Sequence, residues 1–378
     1  MGGAEAALLD ILGSLSEAEP EWNLSLIVAE QGPLVEKASA LGVPTHVLPF
    51  PASVARLGDS SGAISRLSLL RQLFLAGPDA RAYVVSLRKL LQESNPDVIH
   101  TNGFKMHLLG ALAKPKATPL VWHVHDYVRA RPFMARLMKR YHKRCALALA
   151  NSNSVALDLK AACGNSLNVQ TLYNGIDTDV FYPDGDLLDL DSSSGLPPAA
   201  HNTIKIGMLA TFARWKGHEV FLRALALLPP ELEWRGYIIG DALYQTDGSQ
   251  YSLTELRHVA GELGITDRVG FTGFVDQPAA AMRALDIVVH ASTEPEPFGL
   301  VIVEAMACGR AVIASDAGGA AELFETGVNA LGHAPGDAAQ LAERIAQLAT
   351  DFLRRTLGLV LEAIRAEIVC HGFESSLK

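Results

Sequence analysis

Short runs rich in Val and Ile alternate with longer helical patterns along most of the chain, and the alternation comes in two series. The first series has its apolar runs at residues 24–29, 97–100, 120–123, 146–151 and 169–173, and the second at 204–209, 233–239, 269–271, 287–290 and 311–314. Runs this short and this apolar are strands buried on both faces, and the helical stretches between them are long enough to cross back over a sheet. Strand, helix, strand in succession gives a parallel sheet wrapped by helices. Two such series give two sheets.

A chain of 378 residues is too long for one ordinary core and divides naturally into lobes of about 150 to 200 residues. Its residues are 49% hydrophobic and 19% charged, which suits large parallel sheets and argues against disorder. The fold class expected is therefore α/β, with two Rossmann-like doubly wound lobes facing across a cleft. The lobes are expected at residues 1–182 and 204–378. Between them, residues 183–203 are acidic and then rich in Ser, Gly and Pro, so they carry neither period and are expected to form a linker. Ligands of such lobes sit outside the carboxyl ends of the strands, which places the active cleft between the lobes. The chain opens on Met1-Gly2-Gly3-Ala4-Glu5 and enters a helical pattern at once. The strand that normally feeds such a glycine turn is thus expected to be missing from the first lobe, leaving a gap in its sheet.

Composition also narrows the partners. A net charge of −9 offers no basic face to displace counterions, so nucleic acid is not an expected partner. Cys145, Cys163, Cys308 and Cys370 are scattered without a C-x-x-C pair, which reads as a reducing, cytoplasmic compartment. No apolar stretch approaches the roughly 20 residues a membrane span needs, and no signal peptide is expected. One local excess of charge stands out: residues 129–144 hold Arg129, Arg131, Arg136, Lys139, Arg140, Lys143 and Arg144 with no acidic residue. This is either a solvated basic helix face or one that, with Phe133, Leu137 and Met138 interleaved, lies peripherally against anionic lipid.

The strongest motif runs from Thr293 through Glu296, Pro297, Phe298 and Gly299 to Glu304-Ala305-Met306-Ala307-Cys308-Gly309. It reads as a strand end, a polar loop and a helix over 298–308, with Gly309 suited to the left-handed stop. The start of that helix offers free N–H groups and the positive end of the macrodipole to an anion or a hydroxyl. Glu304 lies about 9 Å along the helix, so two carboxylates address the two ends of one ligand. This element resembles the E-x7-E motif of glycosyltransferase family 4, matching it at Glu296 and Glu304. The resemblance implies a GT-B, sugar-nucleotide-dependent and retaining transferase without metal or cofactor. It implies that Glu296 and the amides of Phe298, Gly299 and Leu300 hold the transferred sugar, and that Glu304 holds the ribose.

Further segments carry the same resemblance. Gly318-Gly319-Ala320-Ala321-Glu322 is similar to the family's G-G-x-x-E. Arg214-Trp215-Lys216-Gly217 is similar to its R…KG element, whose cations neutralise the donor diphosphate. Lys216 matches directly, whereas the usual arginine positions hold Ala210 and Thr211, and Arg214 is the candidate substitute. Charge grows on the diphosphate as the glycosidic bond breaks, so fixed cations there stabilise the transition state more than the ground state. The resemblance also places Gly273 and Phe274 beside the nucleobase, His125 beside the transferred sugar, and Gly2 and Gly3 near the leaving phosphates. His123-x-His125 is a weak metal pattern with no third ligand, and no metal is expected. At Lys378 the chain stops short of a further helix that the family usually adds. The donor implied is a nucleotide-diphosphate sugar and the acceptor a hydroxyl of a saccharide or lipid-linked saccharide. The rival reading is a non-catalytic or truncated member of the same fold. A nicotinamide enzyme is disfavoured by the absence of G-x-G-x-x-G, and a hydrolase by the absence of G-x-S-x-G.

Overall fold

The computed structural model describes residues 2–55, 66–242 and 248–350, with no side-chain burial described for residue 55 or 66–75. Met1, Cys370 and the chain end at Lys378 lie outside the described residues. The chain divides into two compact units, Met1–Gly175 and Ile176–Lys378.

The first unit opens on the helix Gly3–Ala18. Strands β1 (Leu26–Val28) and β2 (Thr45–Val47) pair in parallel as a two-stranded sheet. A separate parallel sheet holds β3 (Ile99–Asn102), β4 (Leu120–Val124), β5 (Leu147–Ala150) and β6 (Val169–Thr171) in that order. Each sheet has its own apolar cluster. Leu8, Leu9 and Leu12 of the first helix pack with Ala38 and Val43, while Trp122, Leu120, Met138 and Leu159 belong to the larger core of the four-stranded sheet. Among the described residues no strand joins the two sheets.

The second unit is built on one six-stranded parallel sheet. Its strands are β7 (Ile204–Leu209), β8 (Trp234–Ile239), β9 (Val269–Gly273), β10 (Ile287–His290), β11 (Ala311–Ser315) and β12 (Leu331–His333). Their order across the sheet is β12-β11-β10-β7-β8-β9. Every residue of β10 and β11 is buried, as expected for strands covered on both faces, which is why they read as unbroken apolar runs. From β7 the chain builds outward through β8 and β9, then returns to the other side of β7 to lay down β10. The strand order therefore reverses between β7 and β10, and the crevice at that reversal is where open α/β sheets bind ligands.

Two findings differ from the sequence reading. Strands β2 and β12, three residues each, do not appear among the apolar runs read from the sequence. Residues 183–203, expected as a linker, are folded into the second unit, and the division between units falls earlier, at Gly175 and Ile176. The segment carries the short helix Leu190–Ser194, capped by Asp189 and ended by Gly195 in the left-handed conformation. Leu190 is fully buried. Beside it, the buried Asp191 carboxylate accepts hydrogen bonds from Arg235 Nη1 at 2.8 Å, Tyr237 Oη at 2.7 Å and the Ala199 amide at 2.9 Å. A polar segment is thus pinned to β8 by a buried charge pair in addition to the burial of Leu190. Removing one partner strands the other charge, so Asp191→Ala should cost about 3–5 kcal/mol in urea unfolding. A cost under about 1 kcal/mol, the level of an exposed ion pair, would show that the segment is not integral to the unit.

Candidate active site

The loops that leave β7 and β10 meet at the reversal point of the second sheet. After β7 the chain forms a single 3-10 turn, Arg214–Lys216, closed by Gly217 at φ +82°. A Cβ on Gly217 would stand 1.9 Å from the carbonyl oxygen of Ala291, so only glycine lets this turn rest on the end of β10. The Trp215 carbonyl then accepts both the Thr293 amide at 2.7 Å and the Thr293 hydroxyl at 3.1 Å. These contacts hold Lys216 over the β10 loop.

Lys216 Nζ lies 2.5 Å from Glu296 Oε1. The other carboxylate oxygen, Oε2, is 2.6 Å from His290 Nε2 and accepts the Ser292 hydroxyl at 2.6 Å. Glu296 is 8% exposed. Burial by itself raises the pKa of this carboxyl, but the Lys216 ammonium and the His290 ring outweigh it and hold the group well below the usual carboxylate range. It is ionised at neutral pH. The Glu296 backbone bridges to Gly318, and its carbonyl accepts the Gly319 amide at 2.7 Å. The glycine pair after β11 therefore fixes the loop from below. Gly299, at φ +101°, then turns the chain into the helix Leu300–Ala307, and no side chain caps its first turn. A cation, an ionised carboxylate and a helix N-terminus are thus gathered at the sheet's reversal point, an arrangement that suits a ligand bearing both anionic oxygens and hydroxyls.

The remaining sequence-predicted residues are placed as follows. Glu304 is half-buried on the helix that follows Gly299, and Leu300 begins that helix. The Phe298 side chain is buried in the core, so any contact it makes with a ligand comes from its backbone. Gly273 ends β9 with φ +71°, and Phe274 after it is exposed. Arg214, the candidate second cation, is turned elsewhere: its guanidinium pairs with Glu255 at 2.7 Å, donates to the Gly248 carbonyl at 3.1 Å and lies 4.3 Å over the Tyr251 ring. The structure does not bring it to Glu296. The sequence reading assigned no role to His290 and Ser292. Their signal was two polar residues two apart at the end of an Ile/Val strand, hence on one face, just upstream of a motif glutamate.

In the first unit, Gly2 caps the opening helix and its amide donates to Glu5 Oε2 at 2.8 Å. Gly3 starts that helix, and the next residue, Ala4, accepts the Asn102 side-chain amide at 3.0 Å. The glycine turn therefore sits at the carboxyl end of β3. His125 follows β4, its ring centroid 4.0 Å from that of His123. Neither ring nitrogen of either residue has a hydrogen-bond partner. Among the described residues, no group of three or more His, Cys, Asp or Glu side chains is placed to hold a metal ion. No helix among them is long and apolar enough to cross a membrane.

Two Rossmann-like units, one carrying a Lys–Glu pair at its strand reversal, define an α/β scaffold of the ligand-binding kind, and comparison with known proteins places it in a family. A family model described as Glycosyltransferase Family 4 matches residues 2–180, and one described as Glycosyl transferases group 1 matches residues 203–351. The chain belongs to glycosyltransferase family 4. It is 33% identical to D-inositol 3-phosphate glycosyltransferase 2 of Catenulispora acidiphila over 262 residues, 64% of this chain and 60% of that protein. It thus spans about three fifths of that relative's length. It is 26% identical to N-acetyl-alpha-D-glucosaminyl L-malate synthase of Bacillus anthracis over 80% of each chain. Among solved structures, Anabaena HepE in complex with UDP-glucose superposes with a TM-score of 0.78 and 28% identity, covering 98% of this chain and 93% of that one.

The first unit's histidines make a prediction about stability. Burial, and then the neighbouring imidazoles, lower the pKa of His107 to about 3 and of His123 to about 2; for His125, burial and His100 lower it to about 4. These rings stay neutral in the folded protein, whereas unfolded they take up protons near pH 6.5. The stability they contribute is therefore complete above pH 6.5 and is lost as pH falls through each folded pKa, about 4 for His125 and lower for His107 and His123, with a slope of about 1.4 kcal/mol per pH unit for each proton. Urea unfolding should weaken steeply between pH 7 and 5, less so in His123→Leu. Equal stability at both pH values would show that these rings are not buried neutral.

Proposed function

We propose that the chain transfers a hexose from a nucleotide-diphosphate sugar to a hydroxyl acceptor, with retention at the anomeric carbon and without a metal. The observation that carries this reading is the Lys216–Glu296 pair at the strand reversal, beside the uncapped start of the helix Leu300–Ala307. Lys216 takes the diphosphate together with the helix start, whose amides at Phe298, Gly299 and Leu300 also hold the transferred sugar with Glu296. As the bond from C1 to the diphosphate oxygen breaks, the new negative charge falls on the leaving group beside Lys216, which stabilises the transition state more than the bound donor. The acceptor oxygen bonds to C1 on the same face and passes its proton to the departing diphosphate. Gly273, Phe274 and Glu304 are assigned to the nucleoside, and His125, Gly2 and Gly3 to the transferred sugar and phosphates. A uridine donor is favoured because the Anabaena relative was solved with UDP-glucose, and the acceptor proposed is a saccharide or lipid-linked saccharide.

A second reading rests on one specific observation. Arg214 is engaged by Glu255, leaving Lys216 as the side-chain cation seen at Glu296, and a member that binds nucleotide sugar without turnover fits that arrangement. Nucleotide release separates the two readings. Purified protein incubated with UDP-, GDP- or ADP-glucose should release one nucleotide at a rate unchanged by EDTA. Lys216→Ala should lower that rate by about 10²- to 10³-fold, as loss of one oxyanion-stabilising donor does, and Glu296→Ala should abolish it. A thermal shift with UDP-glucose but no release would establish the binding-only reading. Release that EDTA abolishes would overturn the metal-independent one.

The basic stretch 129–144 belongs to the same proposal as a peripheral contact with anionic lipid at the cytoplasmic face. Met134 and Met138 of the helix Pro132–Tyr141 are buried, and Phe133 and Leu137 pack against the core, so its apolar residues do not reach lipid. Arg131 pairs with Asp126, and Arg144 donates to the Ala111 carbonyl. The contact thus falls to exposed Arg136, Lys139, Arg140 and Lys143, each adding about 1 kcal/mol near an anionic surface. Flotation with phosphatidylserine vesicles should be seen at low salt and lost at high salt. No flotation at low salt would remove lipid from the proposal.

A further inference from the structure

We infer that His290 is a positioning residue for sugar transfer, which anchors one oxygen of the Glu296 carboxylate so that the group stays aimed and ionised when Lys216 leaves it for the donor's diphosphate. The inference rests on the transferase reading above and adds a residue to which that reading gives no part.

His290 closes β10 and is 4% exposed. Its Nδ1 accepts the Ser315 amide from the neighbouring strand β11 at 3.3 Å. A ring nitrogen that accepts a hydrogen bond carries no proton, so the neutral ring has its proton on Nε2. That nitrogen is 2.6 Å from Glu296 Oε2, and the Ser292 hydroxyl, 3.1 Å from Nε2, donates to the same oxygen. The ring is held at its backbone as well: His333 Nε2, from β12, lies 3.2 Å from the His290 carbonyl, while His333 Nδ1 lies 2.9 Å from the Ala334 carbonyl. The sheet's hydrogen-bond register therefore selects the tautomer, and the tautomer selects which carboxylate oxygen is anchored.

The two oxygens of Glu296 are held in different ways. Oε2 is gripped by two short, buried side chains, both from the end of β10. Oε1 is gripped by Lys216, a long side chain on the separate loop after β7, whose terminal ammonium swings on four carbons. An arriving diphosphate competes for that ammonium. Once Lys216 turns to the phosphate, a buried carboxylate held by nothing else would take up a proton or rotate away. His290 and Ser292 prevent both, and Oε1 faces the bound sugar in a fixed direction. His290 acts through Glu296 and has no need to touch the substrate.

The test uses the 378-residue chain with His290→Asn and His290→Gln. A glutamine amide nitrogen reaches the position of the histidine Nε2, whereas an asparagine stops near Nδ1. Nucleotide release from UDP-glucose should fall about 10- to 100-fold in kcat for His290→Asn, the usual effect of losing a hydrogen bond to a charged group. The acid limb of its kcat profile should move to higher pH, because the Glu296 carboxyl loses a donor that favours its ionised form. His290→Gln should recover most of the rate and return the acid limb. Long-range 15N NMR of the wild-type imidazoles, with His290 assigned from the Gln variant, should show the Nε2–H tautomer. An Nδ1–H tautomer, or a His290→Asn protein with unchanged kcat and pH profile, would overturn the inference. A wild type that releases no nucleotide sinks the transferase reading instead. The tautomer and a 13C titration of Glu296, expected to move to higher pH in His290→Asn, then still decide whether His290 sets the carboxylate.

Discussion

The second unit is organised around one buried charge, the Glu296 carboxylate. An isolated carboxylate in a protein interior is costly unless paired and hydrogen-bonded, and this one receives an ammonium on one oxygen and two donors on the other. Each partner arrives on a different constraint. Lys216 arrives because Gly217 lets its turn lie against the Ala291 carbonyl. His290 and Ser292 arrive because β10 ends where it does, and the loop stays in register because Gly319 binds the Glu296 carbonyl. If any of these were lost, the buried carboxylate would keep fewer of the contacts that offset its desolvation.

The same pair explains why the site is suited to an anionic, hydroxylated ligand before any ligand is present. A cation already desolvated beside a carboxylate needs little reorganisation to receive a diphosphate, since it exchanges one anion for another. The backbone start of the helix Leu300–Ala307 adds dipole without adding a side chain. Arg214 lies outside this arrangement because Glu255 and the Tyr251 face satisfy it locally. In the function proposed, one cation and a helix terminus take the part that the family pattern gives to two cations.

Much of this was legible in the sequence. Strands β7 and β10 were read to the residue, and β8, β9 and β11 to within a residue or two, because doubly covered strands are unbroken apolar runs. The Glu296–Glu304 spacing and Lys216 identified the candidate site. What sequence did not reveal was of three kinds. Strands β2 (Thr45–Val47) and β12 (Leu331–His333) carry His46 and Gly332 at their centres and were not read as apolar runs. Residues 183–203 have linker composition, and what folds them into the second unit is the long-range contact of Asp191 with Arg235 and Tyr237, which local pattern cannot encode. The direction of Arg214 and the service of His290 to Glu296 depend on side-chain geometry across 41 and 6 residues respectively. The one was misplaced by motif logic, and the other was hidden as the polar end of a strand.

The most direct test is a crystal structure of the protein soaked with UDP-glucose. The diphosphate should lie within hydrogen-bond distance of Lys216 Nζ and of the amides at the start of the helix Leu300–Ala307, with Glu296 Oε2 still on His290 and Oε1 on the sugar. A nucleotide bound away from the β7 and β10 loops, with the Lys216–Glu296 pair undisturbed, would contradict the account.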